Sequence, residues 1–248
     1  MMFLKNKSDI KDIKKSCEIA SCILNVLYQS IESGVTTEYV NKVADELCKS
    51  YKVLPAFLGY KGFEYSICIS INDEVVHGLP SNRIIQNDDI ISVDFGVIYN
   101  GWYSDTAFTK CLSEKTSDIM LVETCRQCLY NGINKVKVGS KVGDVSNIIY
   151  KTALSSNFSI IEELVGHGVG KSLHEEPQIP NFGPKGEGFS FKQGMILAIE
   201  PIIAEGNSST YTLQNGWTIV TSDRKNSSHF EHTVVVLSDG VEILTYPK

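Results

Sequence analysis

From residue 8 onward the apolar positions Ile10, Ile13, Cys17, Ala20, Leu24, Leu27 and Ile31 recur at steps of three and four. That spacing predicts a long amphipathic helix, capped by Ser8 and ending near Gly34. A second helix is expected over residues 37–51, with Val40, Val43, Ala44, Leu47 and Tyr51 on its apolar side and Pro55 beyond its end. The period then shortens to two, and residues 66–71 alternate as a strand before Asn72-Asp73 turns the chain. Residues 75–80, with His77-Gly78, close that unit. Ser117 is placed to cap a third helix carrying Ile119, Val122, Leu129, Ile133 and Val136, and residues 142–154 repeat the pattern through Val145, Ile148, Ile149 and Leu154. The second half reads as strands and loops around Gly166-His167-Gly168, Leu173-His174-Glu175-Glu176-Pro177 and residues 195–201, 217–221 and 230–237.

Residues 92–109 carry the sharpest local signal. Asn100-Gly101 stands between two runs rich in β-branched and aromatic residues, and both central positions of a type I′ turn need φ > 0. Pairing Tyr99 with Trp102 sets Asp105 opposite Gly96 and Asp94 opposite Ala107. The pleat then puts both aspartates on one face as diagonal neighbours, with Cα atoms roughly 7 Å apart. Ile91, Val93, Phe95, Val97, Trp102 and Phe108 are expected on the opposite, core face, while Ser92, Gly96, Ala107 and Thr109 leave cleared space beside the acids. Two like charges held together in a sheet repel unless a proton or a cation is shared. A pair of solvated aspartates is the plainer alternative, and a bulge in either strand would separate them.

A weak internal repeat relates the two halves. Gly34, Val40 and Val43 reappear in spacing as Gly139, Val145 and Ile148; His77-Gly78 as His167-Gly168; and residues 86–94 as residues 192–200, which aligns Asp94 with Glu200. Two such halves facing each other would bring both acids to one cleft. The expectation is therefore a single pseudo-symmetric domain over residues 1–248.

Composition narrows the class. A net charge of −6 with no run of five or more basic residues argues against a nucleic-acid-binding surface. Seven scattered cysteines suit a reducing compartment better than a disulfide framework, and Cys125 and Cys128 read as core filling in a helix. No stretch approaches the roughly eighteen apolar residues of a membrane span. A cytoplasmic location is expected.

Glu200 ends the apolar run Met195-Ile196-Leu197-Ala198-Ile199, and Glu231 stands between Phe230 and the apolar strand that follows. A carboxylate in either place must be protonated, paired or bound to a cation, and no basic residue neighbours either one. His167 lies between two glycines, which leave room around its ring. Four carboxylates and one imidazole without a thiolate are donors suited to divalent Mn, Fe, Co or Zn. Their charge balances two such ions, and two metals can activate a hydroxide and polarise an amide carbonyl.

The order Asp94-(x10)-Asp105, His167, His174-Glu175-Glu176-Pro177, Glu200-Pro201 and Glu231-His232 resembles the methionine aminopeptidases of type I, the bacterial-type branch of the M24 metallopeptidases, over almost the whole chain. The resemblance implies the α+β pita-bread fold, in which a curved antiparallel sheet with pseudo-twofold symmetry is covered by helices. It also implies removal of the initiator methionine from nascent chains when the second residue is small. By position, Asp94 would hold a second metal, Asp105 and Glu231 would bridge, and His167 and Glu200 would complete the first. Glu200 would also act as general base. His77 and His174 would stabilise the scissile amide and its tetrahedral intermediate.

Tyr60, Phe63, Cys68 and Trp217 match the lining of the family's methionine pocket, and aromatic rings and sulfur suit a thioether. Phe57 stands where a cysteine is frequent and Leu173 where an aromatic is frequent, so pocket shape is expected to differ. Gly96 replaces a frequent threonine, and weaker metal binding at the second site is expected there. The implied partners are nascent N-termini at the ribosome, met by a monomer with no membrane or direct nucleic-acid contact. The chain's own Met1-Met2 start is expected to keep Met1. An Xaa-Pro aminopeptidase or dipeptidase of the same fold, and a non-catalytic binding protein of that fold, are the alternatives.

Overall fold

The computed structural model describes residues 4–246, so the Met1-Met2 expectation lies outside the described residues. Helix α1 spans Lys7–Ser30 and α2 spans Thr37–Tyr51; α3, Thr116–Ile133, and α4, Val142–Ser155, follow the central hairpin. The first cap is Asn6 and not Ser8. The Asn6 side chain accepts the N–H groups of Ser8 and Asp9, and the Asp9 carboxylate accepts that of Asn6. This reciprocal box satisfies more end groups than a lone serine can. Helix α3 likewise begins before Ser117, at Thr116, with Lys115 in the N-cap position and no side-chain cap. Of the residues expected on buried helix faces, Tyr51, Ile119 and Leu154 are exposed, each near a helix end where the next turn no longer covers it.

Eight strands form the main sheet: β1 Ile67–Ile71, β2 Ile90–Phe95, β3 Thr106–Cys111, β4 Gly166–Gly168, β5 Glu175–Ile179, β6 Ile196–Ile199, β7 Glu231–Leu237 and β8 Gly240–Ile243. Their order is β5-β4-β6-β7-β3-β2-β1, with β8 on β7, and every pairing is antiparallel. The order reads symmetrically about the β7–β3 junction, where Glu231 faces Ala107. Strand β2 lies between β3 and β1 as β6 lies between β7 and β4, so the strands leading to Asp94 and Glu200 occupy equivalent places, as the repeat predicts. This is the curved, helix-covered antiparallel sheet of the pita-bread fold. One core packs α1 and α2 onto β1, β2 and β3 through residues such as Ile23, Leu27, Ile69, Val93 and Phe95; the other packs α3 and α4 onto β6 and β7 through Cys125, Cys128, Ile149, Leu197 and Val234. Both cysteines are core filling.

The hairpin keeps its expected register. Tyr99 pairs with Trp102 and Asp94 with Ala107, and the turn residues Asn100 and Gly101 have φ of 51° and 74°. Between these two ladders the pairing leaves the main sheet at Gly96, and residues 97–99 and 102–103 join Leu54–Pro55 in a small separate sheet. Ile91, Val93, Phe95, Val97 and Phe108 lie in the α1–α2 core, whereas Trp102 packs with Ile13, Cys17 and Val169 in a neighbouring cluster. Gly96 has a backbone reason: a Cβ there would collide with the carbonyl of Ser104. A threonine at this position therefore requires the hairpin to shift and cannot simply add a hydroxyl.

The N-terminal segment is tied to the loop before β5. Lys5 Nζ lies 2.6 Å from Glu175 Oε2, with the lysine side chain 2% and the glutamate 16% exposed. The other Glu175 oxygen accepts the N–H groups of Lys171 at 2.6 Å and Ser172 at 3.2 Å. That carboxylate therefore organises the turn presenting Leu173 and His174. Lys5→Met should lower stability by about 3 kcal/mol, the cost of breaking a buried pair, and so lower Tm by roughly 6–12 °C. A Tm unchanged in differential scanning calorimetry would show that the pair holds nothing in place.

Candidate active site

Five strands or their ends deliver the site. Asp94 is the penultimate residue of β2, Asp105 precedes β3, His167 is central in β4, Glu200 follows β6 and Glu231 opens β7. Because strand pairing sets Asp94 opposite Ala107, Glu231 opposite Ala107 on the other side and His167 opposite Ala198, small residues separate the acidic ones across the sheet. Side-chain atoms of Asp94, Asp105 and Glu231 lie within 4.8 Å of one another, as do those of His167, Glu200 and Glu231 and those of Asp105, His167 and His174. These are overlapping triads around one space. All five metal-ligand candidates come together.

His167 is fixed as a lone-pair donor to that space. Its Nδ1 lies 2.9 Å from the carbonyl of Gly168, which can only accept, so Nδ1 carries the proton and Nε2 presents its lone pair. Nε2 is 3.6 Å from both Asp105 Oδ2 and Glu200 Oε1. The flanking glycines act differently from the expectation. A Cβ at 166 would collide with the Ala198 carbonyl and one at 168 with that of Glu176, so they admit the neighbouring strands and do not merely clear room for the ring.

Burial without compensation dominates the electrostatics. Desolvation, reinforced by the neighbouring acids, pushes the Asp105 and Glu231 carboxyls well above the usual range. It raises Glu200 to about 8 and Asp94 to about 7, the latter against an opposing pull from His229. Burial lowers His167 to about 4. Buried oxygens of Asp94, Asp105 and Glu231 have no hydrogen-bond partner. Orphaned carboxylate oxygens converging with a neutral imidazole are a donor set that fits divalent cations.

The acids floor a cavity of about 430 Å³ whose walls include Phe57, Tyr60, Phe63, Cys68, Leu173 and Trp217. These six form one apolar cluster, with Phe63 edge-on to Trp217 at 5.0 Å. His77 and His174 also line it. His77 has φ of 57°, an uncommon conformation for a side chain that is not glycine, and is followed by Gly78, whose N–H donates to Ser70 Oγ. His174 Nδ1 lies 2.8 Å from Tyr60 Oη, and its ring stands 4.2 Å from that of His167. Every residue named from the sequence for this site borders the cavity. One was missed: His229, 2% exposed, with Nε2 3.5 Å from Glu200 Oε2. Its relation to Glu231, two residues on and on the same pleat face, was the available signal.

Such a sheet, carrying a carboxylate-rich cation site beside an apolar pocket, is that of a metallopeptidase, and a family model described as metallopeptidase family M24 matches residues 11–238. The chain belongs to that family. Its full-length relatives are methionine aminopeptidases: the methionine aminopeptidase of Clostridium acetobutylicum is 38% identical, covering 99% of each chain, and methionine aminopeptidase 1 of Bacillus subtilis is 37% identical, again covering 99% of each. The crystal structure of methionine aminopeptidase from Thermotoga maritima superposes with a TM-score of 0.97 at 41% identity over 99% of both chains. Prolidase from Pyrococcus furiosus shares the fold, with a TM-score of 0.78 at 22% identity over 66% of its own length.

Between about pH 7.5 and 8.5 the histidines, lowered by burial in the fold, are essentially neutral in both folded and unfolded chains, so only the acids change. Unfolded carboxyls have already lost protons that Asp94 and Glu200 still hold when folded. Stability of chelator-treated protein should therefore fall as pH rises through this window, and saturating Mn should remove the slope. A Tm of the chelated protein independent of pH from 7.5 to 8.5 would contradict the burial argument.

Proposed function

We propose that this chain hydrolyses the amide bond after an N-terminal methionine when the second residue is small, using two divalent ions (Mn, Fe, Co or Zn) held by Asp94, Asp105, His167, Glu200 and Glu231. The observation that carries the reading is the convergence of those five donors beside a pocket of aromatic rings and Cys68. Bound divalent ions would lower the pKa of a water and polarise the scissile carbonyl. Asp94 would help hold one ion, His167 and Glu200 the other, and Asp105 and Glu231 would serve both.

The protein's own residues do the rest. Phe57, Tyr60, Phe63, Cys68, Leu173 and Trp217 enclose the methionine side chain, where ring edges and sulfur favour a thioether. Glu200 takes the proton of the attacking water as its oxygen adds to the carbonyl carbon, and delivers that proton to the nitrogen as the C–N bond breaks. His77 and His174, both lining the cavity, donate to the carbonyl oxygen as negative charge develops. The substrates are N-termini of nascent polypeptides, met at the ribosome by a cytoplasmic monomer. The seven cysteines, none in a disulfide, suit a reducing compartment.

Purified protein supplied with Mn, Fe or Co should release methionine from Met-Ala-Ser and leave Xaa-Pro peptides intact. Asp105→Asn should lose more than the roughly 10–100-fold typical of an outer ligand partner. An active Asp105→Asn variant, a parent inactive with all three metals, or preferential cleavage of Xaa-Pro peptides would each overturn the proposal.

A further inference from the structure

His229 has no part in the scheme above, yet it is placed with more care than its surroundings require. It ends the strand Ser227–His229, which pairs with Ile202–Ala204, so that His229 lies opposite Ile202 just beyond Glu200-Pro201. Its backbone is clamped on both sides by one hydroxyl. Thr109 Oγ1 donates to the His229 carbonyl at 2.7 Å and accepts the His229 N–H at 3.0 Å. The hydroxyls of Ser92 and Ser228 lie 2.8 and 3.1 Å from that same oxygen. All four side chains are buried. The imidazole carried by this clamped backbone borders the cavity, with Asp94 and His77 as its other polar neighbours.

The ring's Nε2 is buried and has no hydrogen-bond partner, while Glu200 Oε2 stands 3.5 Å away. The other Glu200 oxygen, Oε1, is the one facing His167 Nε2. An unpaired ring nitrogen next to a carboxylate oxygen is costly if bare, because two lone pairs then face each other. Protonated at Nε2, it becomes a donor that needs a shift of only a few tenths of an ångström to reach hydrogen-bond length.

We propose that His229 is a positioning residue for Glu200: its Nε2–H holds Oε2 and so commits Oε1 to the His167 side of the site. The inference rests on the role assigned above to Glu200, and its distinguishing consequence is that the two oxygens of that carboxylate are not interchangeable. An amide donor of similar reach should substitute for the imidazole, and an apolar side chain of similar size should not.

The test compares His229→Leu with His229→Gln in the full chain. Chelator competition with Mn should show about a tenfold loss of affinity in His229→Leu and less than a threefold change in His229→Gln. The visible spectrum of the Co-loaded protein should shift in the leucine variant and keep its parent form in the glutamine variant. Where methionine release is measured, kcat should follow the same order with KM nearly constant. Equal behaviour of the two variants in chelator competition would reduce His229 to packing and overturn the proposal. A parent that binds Mn but cannot cleave Met-Ala-Ser would sink the peptidase reading and leave the metal-affinity comparison standing. Long-range ¹H–¹⁵N spectra of the unaltered Zn-loaded protein need no variant to fold: a protonated Nε2 on His229 supports the donor role, and a bare Nε2 refutes it.

Discussion

Four carboxylates are brought into one buried space where, among the described residues, no arginine or lysine forms an ion pair with them, although Lys61 borders the same cavity, and the rest of the site answers to that repulsion. Removing a charge from water costs several kcal/mol unless it is paired, and crowding like charges adds to the cost. The fold accepts this because the strands delivering the acids are themselves secured elsewhere, by two apolar cores on the helical side of the sheet. Asp94 and Glu200 end equivalent strands of the two halves, and Asp105 and Glu231 arise on either side of the junction between them. A site for cations is thus a consequence of the symmetry, since each half contributes acids to the same cleft.

Specificity comes from a different part of the chain. The apolar cluster of Phe57, Phe63, Cys68, Leu173 and their neighbours belongs to neither core, and it draws on the loop after α2, on β1 and on the turn before β5. That turn depends on the Glu175 carboxylate and through it on Lys5, close to the start of the described chain. Chemistry therefore sits on strands in the middle of the sheet, while the pocket wall sits on segments that can vary without disturbing the acids.

Much of this was legible in the sequence for identifiable reasons. Asn100-Gly101 permits essentially one turn, and that turn fixed the register bringing Asp94 near Asp105. Glu200 and Glu231 stood out because a charge beside an apolar strand is anomalous. Other features gave no signal. Strands of two or three residues, such as Leu54–Pro55, Ser159–Ile160 and Thr210–Thr212, are too short to display a period. The Lys5–Glu175 pair joins residues 170 positions apart, beyond any local pattern. Gly96, Gly166 and Gly168 read as space for a ligand, whereas each admits a neighbouring carbonyl, a fact of tertiary approach that composition does not carry. His229 carried one signal, its two-residue step to Glu231, but it lay in a polar run where periodicity alone could not say which face held the acids.

The central claim is that these acids and His167 share two divalent ions. Crystals soaked in Mn and measured by anomalous diffraction test it most directly. Two peaks are predicted, one contacting Asp94, one contacting His167 and Glu200, and both contacting Asp105 and Glu231. A single peak at saturating Mn, or peaks outside this set of residues, would contradict the account.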